Sequence, residues 1–276
     1  MPGGTPLRRP SVANRGRGKK MKAKEWICIV GCAVNFAVFA QVGSPVHHEG
    51  LVEYGGSQKS IFDTGKAEGV VSLANMSASS ATFGVGAAAG LDGEITVLRG
   101  SQYVTKMRGD TYALDLDPNQ SAVFAVWTTQ SQWVEQAITG DVVTYQDLQR
   151  FVKARAIADG IDAAKPFPFL LAGTPAEVKW HINVDRTEGR PIDRQLFAKS
   201  KESFVAVNQA MDIVGFYSEH HPGIFISVLA PGIRDKDAKN AIHIHMVTRD
   251  GKSAGHIDDV VLSKGMKLFL PKVAAQ

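Results

Sequence analysis

The residues that most restrict what this chain can become are 241–259, AIHIHMVTRDGKSAGHIDD. His243 and His245 alternate with Ile242, Ile244 and Met246, the period-two pattern of a strand with imidazoles on one face and apolar side chains on the other. Same-face neighbours on a strand stand ~7 Å apart, a gap that two imidazoles close by converging on one metal ion. Asp250-Gly251 then predicts a tight type I′ hairpin, because both central positions of that turn need positive φ. With Arg249 and Lys252 flanking the turn, His256 falls opposite His245, and Asp258 opposite His243. Opposed residues have Cβ atoms ~5 Å apart, so three imidazoles share a face and can hold a metal with coordination positions left open. Asp258 is a candidate fourth ligand or a partner to a ligand. A slip of one residue would turn His256 to the wrong face, and Gly255 is where a bulge could cause it. One half-buried strand histidine without a metal is commonplace; H-x-H with a third histidine across a hairpin favours the metal.

The chain's basic balance is local. Residues 1–40 hold eight of the 31 Lys and Arg but one of the 27 Asp and Glu, so the remainder carries 23 minus 26, or −3, and nothing in it suggests a nucleic-acid-binding surface. Met21 is a second start: Lys22 and Lys24 precede an apolar run from Trp26 that ends Val38-Phe39-Ala40, the layout of a signal peptide cleaved after Ala40. That run, interrupted by Asn35, falls short of the ~20 residues needed to span a bilayer. The expectation is an exported protein, periplasmic or secreted, with no membrane attachment after cleavage. Cys28 and Cys32 both lie in this leader, so the mature chain has no cysteine and its metal site must use nitrogen and oxygen ligands.

The mature chain, 41–276, reads as one β-rich α+β domain of mixed sheets in two closely packed halves, about 51–165 and 166–276, with a few helices. His47-His48 fits a mobile terminus, and 67–76 a helical middle in an ambiguous segment. Residues 81–106 predict three strands joined by turns, the first of them turning at Asp92-Gly93. Gly84, Gly86 and Gly90 leave the first strand almost bare, so a neighbouring element or a small ligand must approach its backbone. Glu94 opens an otherwise apolar strand; it is either an exposed turn residue or a carboxylate held for metal or proton work. Residues 121–129 predict a buried strand, and Thr144 caps a helix running to about Asp159 with Leu148, Phe151, Val152 and Ala156 inward. After Pro166 the strand candidates are 169–172, 177–184, 212–217, 224–229, 241–248 and 266–270.

With FGVGAAAGLDGE at 83–94 and HIH followed by GH at 243–256 in view, the chain resembles the α-acetolactate decarboxylases over about 51–261. The resemblance implies that His243, His245 and His256 bind Zn²⁺ and that Glu94 is an active-site carboxylate beside it. It also implies a small hydroxy-keto acid as substrate, and a homodimer is compatible with it. Other divalent transition metals suit imidazole as well. Two departures matter. The family's mid-chain strand carries an arginine facing the substrate, whereas KWHINVD at 179–185 offers His181 or Asn183. The family's C-terminal glutamate has no counterpart, since no acidic residue follows Asp259. His181 and Asp258 are therefore candidates for the carboxylate pocket and for support of a ligand. The expected reaction is decarboxylation of 2-acetolactate to acetoin; the departures keep open a metal-dependent lyase or isomerase on another hydroxy-keto acid, or a metal-binding or ligand-binding protein without catalysis.

Overall fold

A computed structural model describes residues 50–76, 79–117 and 119–273. The leader with its cleavage after Ala40, Cys28, Cys32 and His47-His48 lie outside the described residues. The strands are β1 (Val52–Gly56), β2 (Val71–Ser72), β3 (Thr82–Ala88), β4 (Glu94–Leu98), β5 (Ser101–Arg108), β6 (Thr111–Leu114), β7 (Ser121–Thr129), β8 (Trp133–Ala137), β9 (Phe167–Gly173), β10 (Glu177–Asn183), β11 (Lys201–Val207), β12 (Met211–Tyr217), β13 (Ile242–Thr248), β14 (Ala254–Val261) and β15 (Lys267–Pro271). The helices are α1 (Gln58–Thr64), α2 (Tyr145–Ala158) and α3 (Arg194–Lys199). None of the described helices is long and apolar enough to cross a membrane.

The α+β class holds, but the two sheets are antiparallel in every described pairing rather than mixed. One runs β1-β7-β3-β4-β5-β6, with β2 also on β7; the other runs β11-β10-β14-β13-β12-β9-β15-β8. The strands up to Thr129 form the first sheet, and β8 returns to pair with β15 at the edge of the second.

Three apolar layers follow from strand alternation. Val85, Leu98, Val214, Phe216 and Val247 pack between the sheets. Ile242, Ile244 and Met246 face the other way, where Tyr145, Leu148 and Val152 of α2 cover them. Ile95, Val97 and Trp127 line the far side of the first sheet. The odd-numbered face of β13 therefore looks into the joint between the sheets, and its histidines are buried rather than displayed at the surface.

Local signals explain most elements. Thr144 caps α2 by accepting from the Asp147 N–H, as its spacing predicts. The helix expected within 67–76 lies earlier, at α1, where Ser57 accepts from the Ser60 N–H and Gly65 closes the end; only a 3-10 turn, Leu73–Met76, remains of it. Residues 224–229 form no strand, only a bridge between Pro222 and Ile226. Gly84 and Gly86 answer to neighbouring protein: a Cβ on Gly86 would stand 2.6 Å from the Phe124 carbonyl oxygen of β7, and one on Gly84 2.9 Å from Met76.

Turn chemistry differs from the expectation in two places. Gly251 has φ 69°, but Asp250 is not in the left-handed region, and the Gly251 N–H donates to the Thr248 carbonyl. The hairpin is thus a longer loop closed by Thr248 and Ser253 rather than a type I′ turn. Asp92-Gly93 likewise follows a 3-10 turn, Ala89–Leu91. A two-residue hairpin turn with positive φ at both positions is instead found at Arg99-Gly100, between β4 and β5.

Candidate metal centre and active site

The register inferred for the hairpin is present: His245 opposes His256 and Met246 opposes Gly255. Gly255 causes no slip. It is needed for room, since a Cβ there would lie 2.7 Å from both the His181 carbonyl oxygen and the Trp180 ring. The irregularity falls three residues later, where Lys179 opposes Asp259 and Trp180 opposes Ile257, leaving Asp258 as the extra residue of a bulge against β10.

His243 Nε2 and His245 Nε2 stand 3.0 Å apart, and His245 Nε2 and His256 Nδ1 3.4 Å. Metal–nitrogen bonds of ~2.0–2.1 Å in tetrahedral array put ligand nitrogens ~3.3 Å apart, so the three converge as ligands do. Without a cation, one of the two Nε2 atoms must carry a proton to make the 3.0 Å contact favourable. His243 Nδ1 is buried, with the Phe225 backbone beside it, while Nε2 is the nitrogen turned to His245. The donor set, imidazole alone in a cysteine-free core, fits a divalent transition metal.

Burial disfavours charge on all three rings. It pushes His243 down to about 4. His245 and His256 are driven well below the ordinary histidine range, by burial first and then by the other imidazoles. Neutral imidazoles keep lone pairs for a ligand role. Thr96, two residues beyond Glu94 on the same face of β4, places its hydroxyl oxygen 3.1 Å from His245 Nδ1. If His245 Nδ1–H donates to it, Nε2 is fixed as the free acceptor.

Glu94 arrives from the first sheet and is buried, with oxygens 3.6 Å from His245 Nε2 and 3.7 Å from His181 Nε2. The exposed-turn alternative is therefore excluded. Burial, then the charge of Asp258, raises its carboxyl well above the usual range, against the Asn183 backbone N–H and Lys201.

Asp258 is not opposite His243: the β13–β14 ladder ends at His245–His256, and the bulge carries Asp258 towards β10 and β11. Its Oδ2 lies 2.9 Å from His181 Nδ1 and 3.1 Å from Lys201 Nζ. Burial alone would raise this carboxyl, but the His181 hydrogen bond and the charges of His181, His256 and Lys201 outweigh it and hold it low. Burial lowers His181 in turn, so His181 is neutral near pH 7 and donates from Nδ1 to the ionised Asp258. Asp258 thus supports His181 and Lys201, and its carboxylate also lies with His181 and His256 in a second group that could hold a metal ion, apart from His243 and His245.

These residues border a cavity of about 500 Å³ walled by Glu94, His181, Asn183, Lys201, His243 and His256 on one side. Phe124, Phe197, Val228, Leu229 and Pro231 form the apolar side. Gln58, buried, holds the loop of that side by accepting from the Val228 N–H and donating to Ser227. Thr96, Lys201 and Gln58 were not foreseen from sequence. The period-two step from Glu94 could have flagged Thr96; nothing local flags the others.

A two-sheet β domain with three convergent imidazole nitrogens, a buried carboxyl and a cavity opening on both defines a metal-site enzyme scaffold. The alpha-acetolactate decarboxylase profile matches residues 56–273. The chain belongs to that family and is a carboxy-lyase. The alpha-acetolactate decarboxylase of Bacillus subtilis strain 168 superposes with a TM-score of 0.63 at 20% identity, over 80% of this chain and 86% of that one. A Staphylococcus aureus protein of unknown function similar to alpha-acetolactate decarboxylase gives 0.61 at 15%, over 80% and 85%. At these identities the superpositions establish the fold alone. None of the curated protein sequences matches significantly.

Proposed function

We propose that this carboxy-lyase converts 2-acetolactate to acetoin and CO₂ with Zn²⁺ held by His243, His245 and His256. The observation that carries the reading is the convergence of those three nitrogens at 3.0 and 3.4 Å beside the buried Glu94, within a family whose members decarboxylate this acid. Bound there, a divalent cation supplies Lewis acidity to the negative charge that builds on the ketone oxygen as the bond to CO₂ breaks.

The chain's own residues do the rest. Glu94, whose carboxyl burial raises well above the usual range, can deliver a proton to the carbon that loses CO₂, completing acetoin. Thr96 orients His245, and Asp258 orients His181. The apolar wall from Phe124 to Pro231 excludes water from the carbanionic carbon.

The cavity volume favours a second reading beside the first. About 500 Å³ lies in the ~300–1,000 Å³ range that houses drug-sized ligands, so a hydroxy-keto acid with a longer apolar substituent than a methyl group would also fit. The leader supports export, and the mature chain is proposed to work outside the cytoplasm.

The test is acetoin release from acetolactate by residues 41–276 as isolated, after chelation and after zinc is restored. Turnover that chelation abolishes and zinc returns supports the reading. Stoichiometric zinc without turnover on acetolactate, but with CO₂ release from longer-chain analogues, moves it to the second. Zinc without turnover on any of them removes both.

A further inference from the structure

Among the described residues, Lys201 is the one Lys or Arg on the wall of the cavity that opens onto His243 and His256. It begins β11, opposite Asn183 of β10, so its side chain lies on the sheet face that carries His181. It is largely buried, with 23% of the side chain exposed, and a lysine so placed needs anionic company. Asp258 provides part of it: the ammonium lies 3.2 Å from Oδ1 and 3.1 Å from Oδ2.

Those two bonds leave something over. An ammonium has three N–H donors, and Asp258 occupies two of them. Asp258 does not itself border the cavity, so it sits behind Lys201 and His181 and steadies both. The third donor is available to a ligand in the cavity. Most of the remaining lining, Phe124, Phe197, Val228 and Pro231, is apolar, the Gln58 amide is bonded to Ser227, Asn183 is uncharged, and Glu94 would meet a carboxylate with another carboxyl. His181 already spends Nδ1 on Asp258, 2.9 Å away, and has less to offer an anion than an ammonium.

We propose that Lys201 receives the substrate carboxylate, so that the substrate lies with its carboxylate at the β10–β11 edge and its alkyl groups against the apolar wall. This rests on the decarboxylase reading above and adds the residue that orients the acid. Asp258 is then a positioning residue for the ammonium.

The test compares two ligands that differ only in the carboxylate: 2,3-dihydroxy-2-methylbutanoate, which has no ketone to accept electrons and so persists, and butane-2,3-diol. Affinities are measured calorimetrically on the zinc-loaded protein, with bound zinc quantified in each variant. Lys201→Met should weaken the acid by about 10- to 100-fold, the worth of one hydrogen bond to a charged group, and leave the diol within about twofold. Lys201→Arg, which keeps a cation at the same place, should recover most of the loss. Equal weakening of acid and diol, or an acid affinity that Lys201→Met leaves untouched, overturns the assignment while the decarboxylase reading stands. If the unaltered protein binds neither compound, this assignment falls, while the decarboxylase reading is decided by acetoin release.

Discussion

Thr96→Val isolates what a single hydroxyl does for the metal centre. Thr96 and His245 are both fully buried, and their 3.1 Å contact acts with the Ile95 backbone in selecting the His245 tautomer. Valine keeps the shape and removes the acceptor. In the metal-free protein the cost is small, because the ring proton can move to Nε2 and be donated to His243 Nε2, 3.0 Å away; about 1 kcal/mol should be lost. Metal binding cannot use that escape, since Nε2 must then give up the proton and Nδ1–H is left buried with only the Ile95 backbone beside it. Loss of such an orienting contact weakens metal affinity by about 10- to 100-fold, or ~1.4–2.8 kcal/mol. Urea unfolding of the metal-free protein reads the first quantity, and zinc competition against a chromophoric chelator reads the second. Thr96→Ser should restore zinc affinity. A Thr96→Val protein that binds zinc within about threefold of the unaltered one would refute the reasoning, the difference then being under ~0.7 kcal/mol.

Glu94→Gln should lower kcat by about 10²- to 10⁴-fold with zinc content unchanged, the usual worth of a general acid; steady-state acetoin assays with metal analysis check it, and unaltered turnover removes Glu94 from proton delivery. Gly255→Ala drives a methyl to within 2.7 Å of the His181 carbonyl oxygen, so β10 must move off β14. Thermal unfolding should show about 1–3 kcal/mol of destabilisation, and a shift of ~1 Å at His181 should cost about 10²-fold in activity; an unchanged Tm counts against the packing described. Metal-free protein should lose stability in acid. Its His243 stays neutral down to about 4, whereas an unfolded histidine protonates near ~6.5, so stability is full above ~6.5 and falls by about 3 kcal/mol as pH drops to about 4. Urea midpoints of chelated protein at the two ends of that window test the sign, and no acid loss would contradict neutral burial.

The parts of the site that sequence made legible are those that one turn holds together. His245 and His256 are eleven residues apart and their register depends on a single hairpin, so alternation alone placed three imidazoles on one face even though the turn type was misjudged. What that alternation could not tell was which way the face looked. Both faces of β13 are buried, one under α2 and one under the first sheet, and only the packing of the sheets decides which of them takes the histidines. Asp258 shows the limit in the other direction: its bulge arises from pairing with β10, about eighty residues earlier, and no periodicity within β14 announces it. Lys201 was invisible for the same reason, since its neighbours Asn183 and Asp258 come from strands to which no short turn joins it in register.

The centre is divided between the two sheets in a way that bears on how it works. All three imidazoles belong to one hairpin of the second sheet, while the acceptor that orients His245 and the carboxyl beside it both come from β4 of the first. The hairpin alone could gather a cation, but only with the sheets packed does His245 have its tautomer fixed and Glu94 reach the cavity. A ligand that binds only the packed state stabilises it by mass action, about 4 kcal/mol at a thousand times its Kd. The same two residues therefore link metal affinity to the joint between the sheets. That joint contains Phe216 and Val247 alongside the histidines, so the apolar packing that excludes water also lowers the imidazole basicity. Stability of the domain and readiness of the site are consequences of one interface, which is why a buried threonine with no part in the chemistry is expected to matter to it.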